Sequence, residues 1–324
     1  MVSIIEPISK NLIIKELSGK MLRKTRKANN EVYVVNAHNS PNVMKEIGRL
    51  REISFRNSGG GSGNSFDTDE FDFLPQPYEQ LIVWNPDEKE IIGGYRFIHG
   101  KNVVFKDNVP QMPMEHIFDF SEKFINDYLP YTIELGRAFI QPKYQSIKGG
   151  VKALFALDNL WDGIGSLVLL YPETQYLIGK VTIYPQMNEQ ARCAIIYYLS
   201  KFFPDSENLF LAKSLEVPPK KYCQKFEKMF ANGDAKENFR KLNAYVRHKK
   251  ESIPPLIRAY IDLSGTMRSF GTCVDADFGN IHDTGIMITI NEIYEDKKKR
   301  YLENFQIIKN MLVREKRKKK IIIS

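Results

Sequence analysis

Apolar residues along the chain switch between two spacings. Ile8, Leu12, Ile13 and Leu17 have the near-helical spacing of one face of a short amphipathic helix. EVYVVNA, from Glu31 to Ala37, alternates with a period of two, as a half-buried strand does. From Asn42, NVMKEIGRLREISFR returns to helical spacing and places Val43, Ile47, Leu50 and Phe55 on one face. The stretch RNSGGGSGNSFDTDEFD, Arg56 to Asp72, ends that helix with glycines among serines and asparagines, and carboxylates follow at once.

QLIVWN (Gln80 to Asn85) and EIIGGYRFI (Glu90 to Ile98) flank the turn-rich PDEKE and predict an antiparallel hairpin. YTIELGRAFI (Tyr131 to Ile140) and QYLIGKVTIYP (Gln175 to Pro185) predict further strands, with a helix in VKALFALDNLWDGIGSLVLLYP between them. NEQARCAIIYYLSKFF (Asn188 to Phe203) predicts another helix. Residues 218–250 are polar, charged and helix-prone, an insertion or a cover. A helix begins after paired prolines in Ile253 to Leu263, TGIMITINEI (Thr284 to Ile293) is a last strand, and a basic helix closes the chain. No repeat of 20–50 residues occurs. The order predicts an α/β (α+β) domain with a twisted, mostly antiparallel sheet flanked by helices. The expected organisation is a basic extension over 1–40, a domain over 41–305 carrying 218–250 as a helical insertion, and a basic tail over 306–324.

Composition narrows the setting. Of 324 residues, 43% are hydrophobic and 12% aromatic, enough for a substantial core. Cys193, Cys223 and Cys273 show no CxxC spacing, which argues against a disulfide framework or a zinc site and fits a reducing compartment. No apolar run approaches the ~20 residues of a membrane span. The start lacks the order of a signal peptide, pointing to the cytosol or the cytosolic face of a membrane. The net charge of +8 concentrates in Lys20 to Lys27, Lys297 to Arg300 and Arg314 to Lys320. Such runs can meet anionic lipid, nucleic acid or an acidic protein, or can be solvated helix faces and a frayed tail. No nucleic-acid module is present, so nucleic acid is not an expected partner.

The glycine stretch is not a phosphate loop, because no lysine follows the glycines and a helix precedes them. Asp67, Asp69 and Asp72 could bind a cation, set up a charged site or form an exposed acidic turn. The wider constellation favours a charged site. Arg51 lies four residues before Phe55, Arg96 lies in GGYRFI, and Glu134 and Arg137 lie in ELGR. Strict alternation puts Glu134 and Gly136 on one side of a strand and Arg137 on the other. Charges in apolar strands are costly to bury unless paired, so they suggest a polar network near a cleft.

The order R-x-x-x-F, D-x-D-x-x-D, G-G-Y-R, E-L-G-R resembles the GNAT-type amino-acid N-acyltransferases of ornithine-lipid and glycine-lipid synthesis, and more distantly the acyl-homoserine-lactone synthases. The likeness continues through YLIGKVTIYP, the segment from Ile253 to Ile293 and KKRYLENF, covering about residues 45–305. It is nearest the longer branch of Bacteroidetes-type bacteria often labelled hemolysin, although no pore-forming span supports lysis. The resemblance implies a GNAT-like fold and transfer of a (3-hydroxy)fatty acyl group from acyl carrier protein to an amino-acid amine, glycine in that branch. Alternatives are an ornithine acceptor, an acyl-CoA donor, or a non-enzymatic membrane-surface or carrier-binding protein.

On that resemblance Glu134 is the candidate base, directly or through a water, or else a structural ion-pair partner of Arg51, Arg96 or Arg137. Arg51, Asp69 and Arg137 stand with it in the catalytic set, and Asp67, Asp72 and Arg96 with the substrate. The arginines would balance the carboxylates or bind a substrate carboxylate. Backbone amides at a strand bulge near Gly136 to Phe139 are the candidate oxyanion site. Gln145, Gly149 and Gly150 match the residues but not the spacing of the GNAT pyrophosphate loop. That fits a donor carrying one phosphopantetheine phosphate on an acidic carrier, or simply a glycine-rich lead into a helix. No metal and no bound cofactor are expected. The five histidines show no triad motif, Cys193 reads as core rather than nucleophile, and transfer is expected to be direct. Trp84 and Trp161 are expected in the core. Both basic ends, with Leu12, Ile13, Leu17 and Leu22 in the first, are candidates for peripheral contact with an anionic membrane.

Overall fold

The computed structural model describes residues 2–145 and 155–303. The chain runs through α1 (Lys10–Leu17), β1 (Met21–Lys24), β2 (Glu31–Val35) and α2 (Pro41–Ser58) to the hairpin of β3 (Glu79–Asn85) and β4 (Glu90–His99). Short strands β5 (Phe105–Lys106), β6 (Val109–Pro110) and β7 (Phe118–Phe120) lead to β8 (Thr132–Ile140). After β8 come α3 (Ala156–Leu170), β9 (Tyr176–Ile183), α4 (Glu189–Phe202) and β10 (Phe210–Ala212). The last elements are α5 (Lys220–Met229), α6 (Ala235–His248), α7 (Pro255–Ile261), β11 (Arg268–Asp275), β12 (Ile281–Thr289) and α8 (Glu295–Lys298).

Eight strands form one sheet in the order β1-β2-β3-β4-β8-β9-β12-β11. All neighbours pair antiparallel except β8 and β9, which are parallel. A parallel pair needs a crossover, and α3 lies in it. The β8–β9 register runs from Thr132↔Tyr176 to Leu135↔Gly179 and stops there, although β8 continues to Ile140 and β9 to Ile183. The sheet therefore opens between these two strands.

One face of the sheet carries the large core cluster, in which Leu81, Phe97, Ile133, Val181 and Ile288 meet Leu160, Ile195, Phe226 and Leu242 from the helices. The other face carries two clusters. Val43, Ile47 and Leu50 of α2 pack with Ile82 and Trp84 in one, and Phe118, Phe210 and Phe270 gather in the other. The expected face of α2 is buried, and Gly59 ends the helix in the left-handed region at φ 92°.

Residues 1–40 do not stand apart. Ile13 and Leu17 sit in the α2 cluster, Glu16 accepts hydrogen bonds from the backbone amides of Asn42 and Val43 at the start of α2, and β1 and β2 extend the sheet. Residues 218–250 form α5 and α6, and Phe226, Phe230, Leu242 and Val246 are sealed in the main core. β1 and β11 were not expected as strands, and the last long strand spans Ile281–Thr289 rather than Thr284 to Ile293. Trp84 and Trp161 are buried as expected, and Cys193 is a core thiol pushed up by burial to about 11. No helix among the described residues is long and apolar enough to cross a membrane. The tail at 306–324 lies outside the described residues.

If α5 and α6 share the core, Leu242→Ala should cost about 2–5 kcal/mol, the range for emptying a buried leucine site. Urea unfolding measures this, and a loss below about 1 kcal/mol would mean that these helices lie over the core without completing it.

Candidate active site

The polar network occupies the sheet face between the two smaller clusters. Register aligns it. Arg96 of β4 lies opposite Gly136, and Glu134 of β8 opposite Ile98 on one side and Ile178 on the other. Lys180 of β9 lies opposite Gly285, and Asp283 of β12 opposite Thr182. Side chains two residues apart share a face, so Arg96, Glu134, Lys180 and Asp283 form a charged band across the central strands.

The glycine stretch forms the rim of this band. Glu52, sealed on α2, accepts hydrogen bonds from the Ser62 amide at 3.0 Å, the Ser62 hydroxyl at 2.9 Å and the Gly63 amide at 2.8 Å, and pairs with Arg56. The loop is thus wrapped around one buried carboxylate. Farther on, the Asp67 amide donates to the Gly48 carbonyl at 2.9 Å. A Cβ at Gly48 would stand 3.0–3.1 Å from Phe66, Asp67 and Thr68, so glycine permits this close approach.

The loop then delivers its aspartates. Asp69 pairs with Arg96, and with Arg137 at 3.1 Å. Asp67 meets Arg137 at 3.1 Å, and Asp72 meets Arg51 at 3.5 Å and Arg96 at 3.4 Å. Gln80 links the set by donating to Asp72 at 3.0 Å and accepting from Arg51. The Tyr78 hydroxyl donates to Glu134 at 2.5 Å. Across the strand opening, Lys180 meets Asp283 at 2.8 Å and Asp275 at 3.3 Å, and the Thr182 hydroxyl donates to Asp283 at 2.7 Å. Arg137 lies 4.6 Å from the ring centre of Phe278.

These surroundings set the proton affinities. Burial pushes the Glu134 carboxyl up, against the hydrogen bond from Tyr78 and the charges of Arg96 and Lys180. Burial likewise pushes Asp67 up, against Arg137, Arg51 and Arg96. Asp69 goes the other way: burial alone would raise it, but Arg96 and Arg137 hold it well below the usual carboxylate range. Burial opposes charge on Lys180, yet Asp283 and Asp275 raise its affinity and keep it protonated.

Arg51, Asp67, Asp69, Asp72, Arg96, Glu134 and Arg137 thus come together in one network. The expected orientation of Arg137 does not hold. The β4–β8 register shifts between Gly94 and Arg96, and Arg137 has φ 48°. This bulge turns Arg137 onto Asp67 and Asp69, the second of which it shares with Arg96. It lies within Gly136 to Phe139, and no β8 residue beyond Leu135 has a β9 partner among the described residues. Gln145 is turned back on its own strand, donating to the Ile140 carbonyl at 2.5 Å, while Gly149 and Gly150 lie outside the described residues.

Sequence reasoning missed Tyr78, Gln80, Lys180, Asp275 and Asp283. Lys180 carried a usable signal, since it is the lone charge in the apolar strand YLIGKVTI, as Arg96 is in the apolar run IIGGYRFI. No group of histidine, cysteine, aspartate or glutamate among the described residues has an arrangement that could hold a metal ion.

Residues 50–154 match the acetyltransferase (GNAT) domain. The chain is 49% identical over 308 residues to a glycine N(alpha)-acyltransferase of Phocaeicola vulgatus, covering 94% of each chain. It is 46% identical over 310 residues to the glycine N(alpha)-acyltransferase of Bacteroides thetaiotaomicron, covering 94% of this chain and 91% of that one. A looser likeness, at 10% identity and a TM-score of 0.41, is to the structure of FeeM, an N-acyl amino acid synthase from uncultured soil microbes, covering 86% of this chain and 98% of that one.

Asp69→Asn should remove one negative charge shared by two guanidiniums and cost about 3–5 kcal/mol at neutral pH, as breaking a buried pair does. The lowered affinity of Asp69 means its contribution is present above its unfolded value of ~3.9 and is lost as pH falls through the folded value. The stability gap between parent and variant should therefore narrow below about pH 4. Urea midpoints at pH 7 and pH 3 measure it, and a constant gap would place the cost elsewhere.

Proposed function

The chain belongs to the glycine N(alpha)-acyltransferase family and is an N-acyltransferase, and from that premise we propose that it acylates the amine of glycine. The acyl group is a fatty acyl, 3-hydroxylated in the fullest form of the reading, taken from acyl carrier protein in a step of amino-acid lipid synthesis. The observation that carries this is the placement of Glu134, a buried carboxylate of raised proton affinity, where β8 and β9 part. The names of the two relatives support glycine as the acceptor.

The chemistry requires the glycine ammonium to lose a proton before it can attack a thioester. Glu134 receives it, directly or through one water. Its hydrogen bond from Tyr78 leaves acceptor capacity on the carboxylate, which has roughly four lone-pair sites. The freed amine attacks the thioester carbonyl, whose oxygen becomes negative. In this reading the bulged edge of β8 from Gly136 onward supplies the amides that meet it. The intermediate collapses as the C–S bond breaks, and the leaving thiolate takes the second proton shed by the attacking nitrogen, which leaves a neutral amide. The products are an N-acyl glycine and the free carrier thiol, with no acyl-enzyme formed.

The polar network holds these parts in place. Arg96 and Asp72 are sealed, and the bidentate hold of Arg137 on Asp67 and Asp69 ties the rim loop to β8. Such positioning is how a site that forms no covalent intermediate lowers its barrier. An acidic carrier protein suits the basic balance of the chain, +8 overall.

The test uses purified protein, acyl carrier protein charged with a 3-hydroxyacyl group, and glycine, with products read by mass spectrometry. Glu134→Gln should keep the parent's melting temperature and lower turnover by about 10²–10⁴-fold. Turnover within threefold of the parent would remove Glu134 from the base role.

The donor is tested separately. The KM for the charged carrier should rise as salt is raised, because charges on two surfaces are screened over about 8 Å at physiological ionic strength. Equal kcat/KM with free acyl-CoA, together with a KM indifferent to salt, would replace the carrier with the coenzyme.

A further inference from the structure

Glycine offers two handles, an amine and a carboxylate, and the base accounts for only one. Four cations line the network, and they differ in what they can still bind. Arg51 and Arg96 are sealed, with side chains 1% and 2% exposed. Arg137 is 22% exposed, but it holds Asp67 and Asp69 through two different nitrogens and packs on Phe278. Lys180 is 23% exposed and meets Asp283 and Asp275. An ammonium has three donors, so two partners leave one N–H of Lys180 unused among the described residues.

Its position matches that spare donor. Glu134 lies opposite Ile178, and Lys180 is two residues farther along β9, just past the last β8–β9 pair at Leu135↔Gly179. Glu134 and Lys180 therefore share one face as diagonal neighbours across the opening, a separation of roughly 7–8 Å between backbones. That span accommodates a molecule whose amine and carboxylate are one carbon apart. Two carboxylates, Asp275 of β11 and Asp283 of β12, fix the ammonium from that side of β9, and Glu134 stands on the β8 side.

We propose that Lys180 is the residue that recognises the α-carboxylate of the acceptor, setting the amine toward Glu134 and selecting an amino acid over a simple amine. Asp283 and Asp275 are its positioning residues. This rests on the reading that the acceptor is an amino acid.

The experiment compares glycine with glycinamide, which keeps the amine and loses the negative charge. The parent should favour glycine in kcat/KM by at least about tenfold, the worth of one charge-assisted hydrogen bond. Lys180→Met should bring that ratio close to one, mainly by raising the KM for glycine, and Lys180→Arg should restore part of it. Lys180→Gln, which can still bond to Asp283, is the second variant if the methionine form fails to fold. A parent that uses glycinamide as well as glycine, or a folded Met or Gln variant whose ratio stays within twofold of the parent's, would overturn the assignment. A parent that acylates no amino acid would instead overturn the proposed function, and this inference with it.

Discussion

Asp69 lies between two guanidiniums, Arg96 on β4 and Arg137 on β8, and the site depends on that arrangement. A charge buried on the face of a sheet is tolerated only when it is paired and hydrogen-bonded. Here the pairing partners come from a loop, so the loop cannot wander without stranding the sealed Arg96 and the half-buried Arg137. The same requirement explains why Glu52 is spent on Ser62 and Gly63, why Gly48 must be small enough to let the loop approach, and why Arg51 reaches down from α2 to Asp72. Each contact restrains the aspartates.

The bulge on β8 follows from the same constraint. An unbroken strand would point Arg137 away from Glu134 and leave Asp67 unpaired. Holding a residue such as Arg137 at positive φ costs about 1–2 kcal/mol, which its pairs with Asp67 and Asp69 offset. Among the described residues the bulged edge also has no partner on β9, so the irregularity that completes the ion-pair network lies beside the end of the β8–β9 pairing.

Much of this was legible from residue order. α2 and the β3–β4 hairpin follow from apolar spacing, because Val43, Ile47 and Leu50 all face one cluster and the turn at PDEKE is short. The charged residues in apolar strands announced a network before any geometry was known. Other features were hidden for physical reasons. β1 is a polar edge strand, MLRK, in which charge masks alternation. β11 breaks its own period with a register shift between Ser269 and Thr272 and with Gly271 at φ 92°. In α5 and α6 the apolar residues are sparse among charges, yet Phe226 and Leu242 are sealed, so a polar composition concealed a core layer. The turn of Arg137 could not be read from parity, since a bulge is a property of two strands together. Lys180 was readable by the rule that found Arg96, but its partners Asp275 and Asp283 lie about a hundred residues away along the chain.

The central claim is that the opening between β8 and β9 holds the acceptor amine against Glu134. A crystal structure with glycine and a non-reactive thioether of acyl-phosphopantetheine tests it most directly. The account predicts the glycine nitrogen within about 3 Å of the Glu134 carboxylate, or one water removed, with the thioether beside the edge of β8 beyond Leu135. Glycine bound elsewhere, with no single-water path from its nitrogen to Glu134, would contradict it.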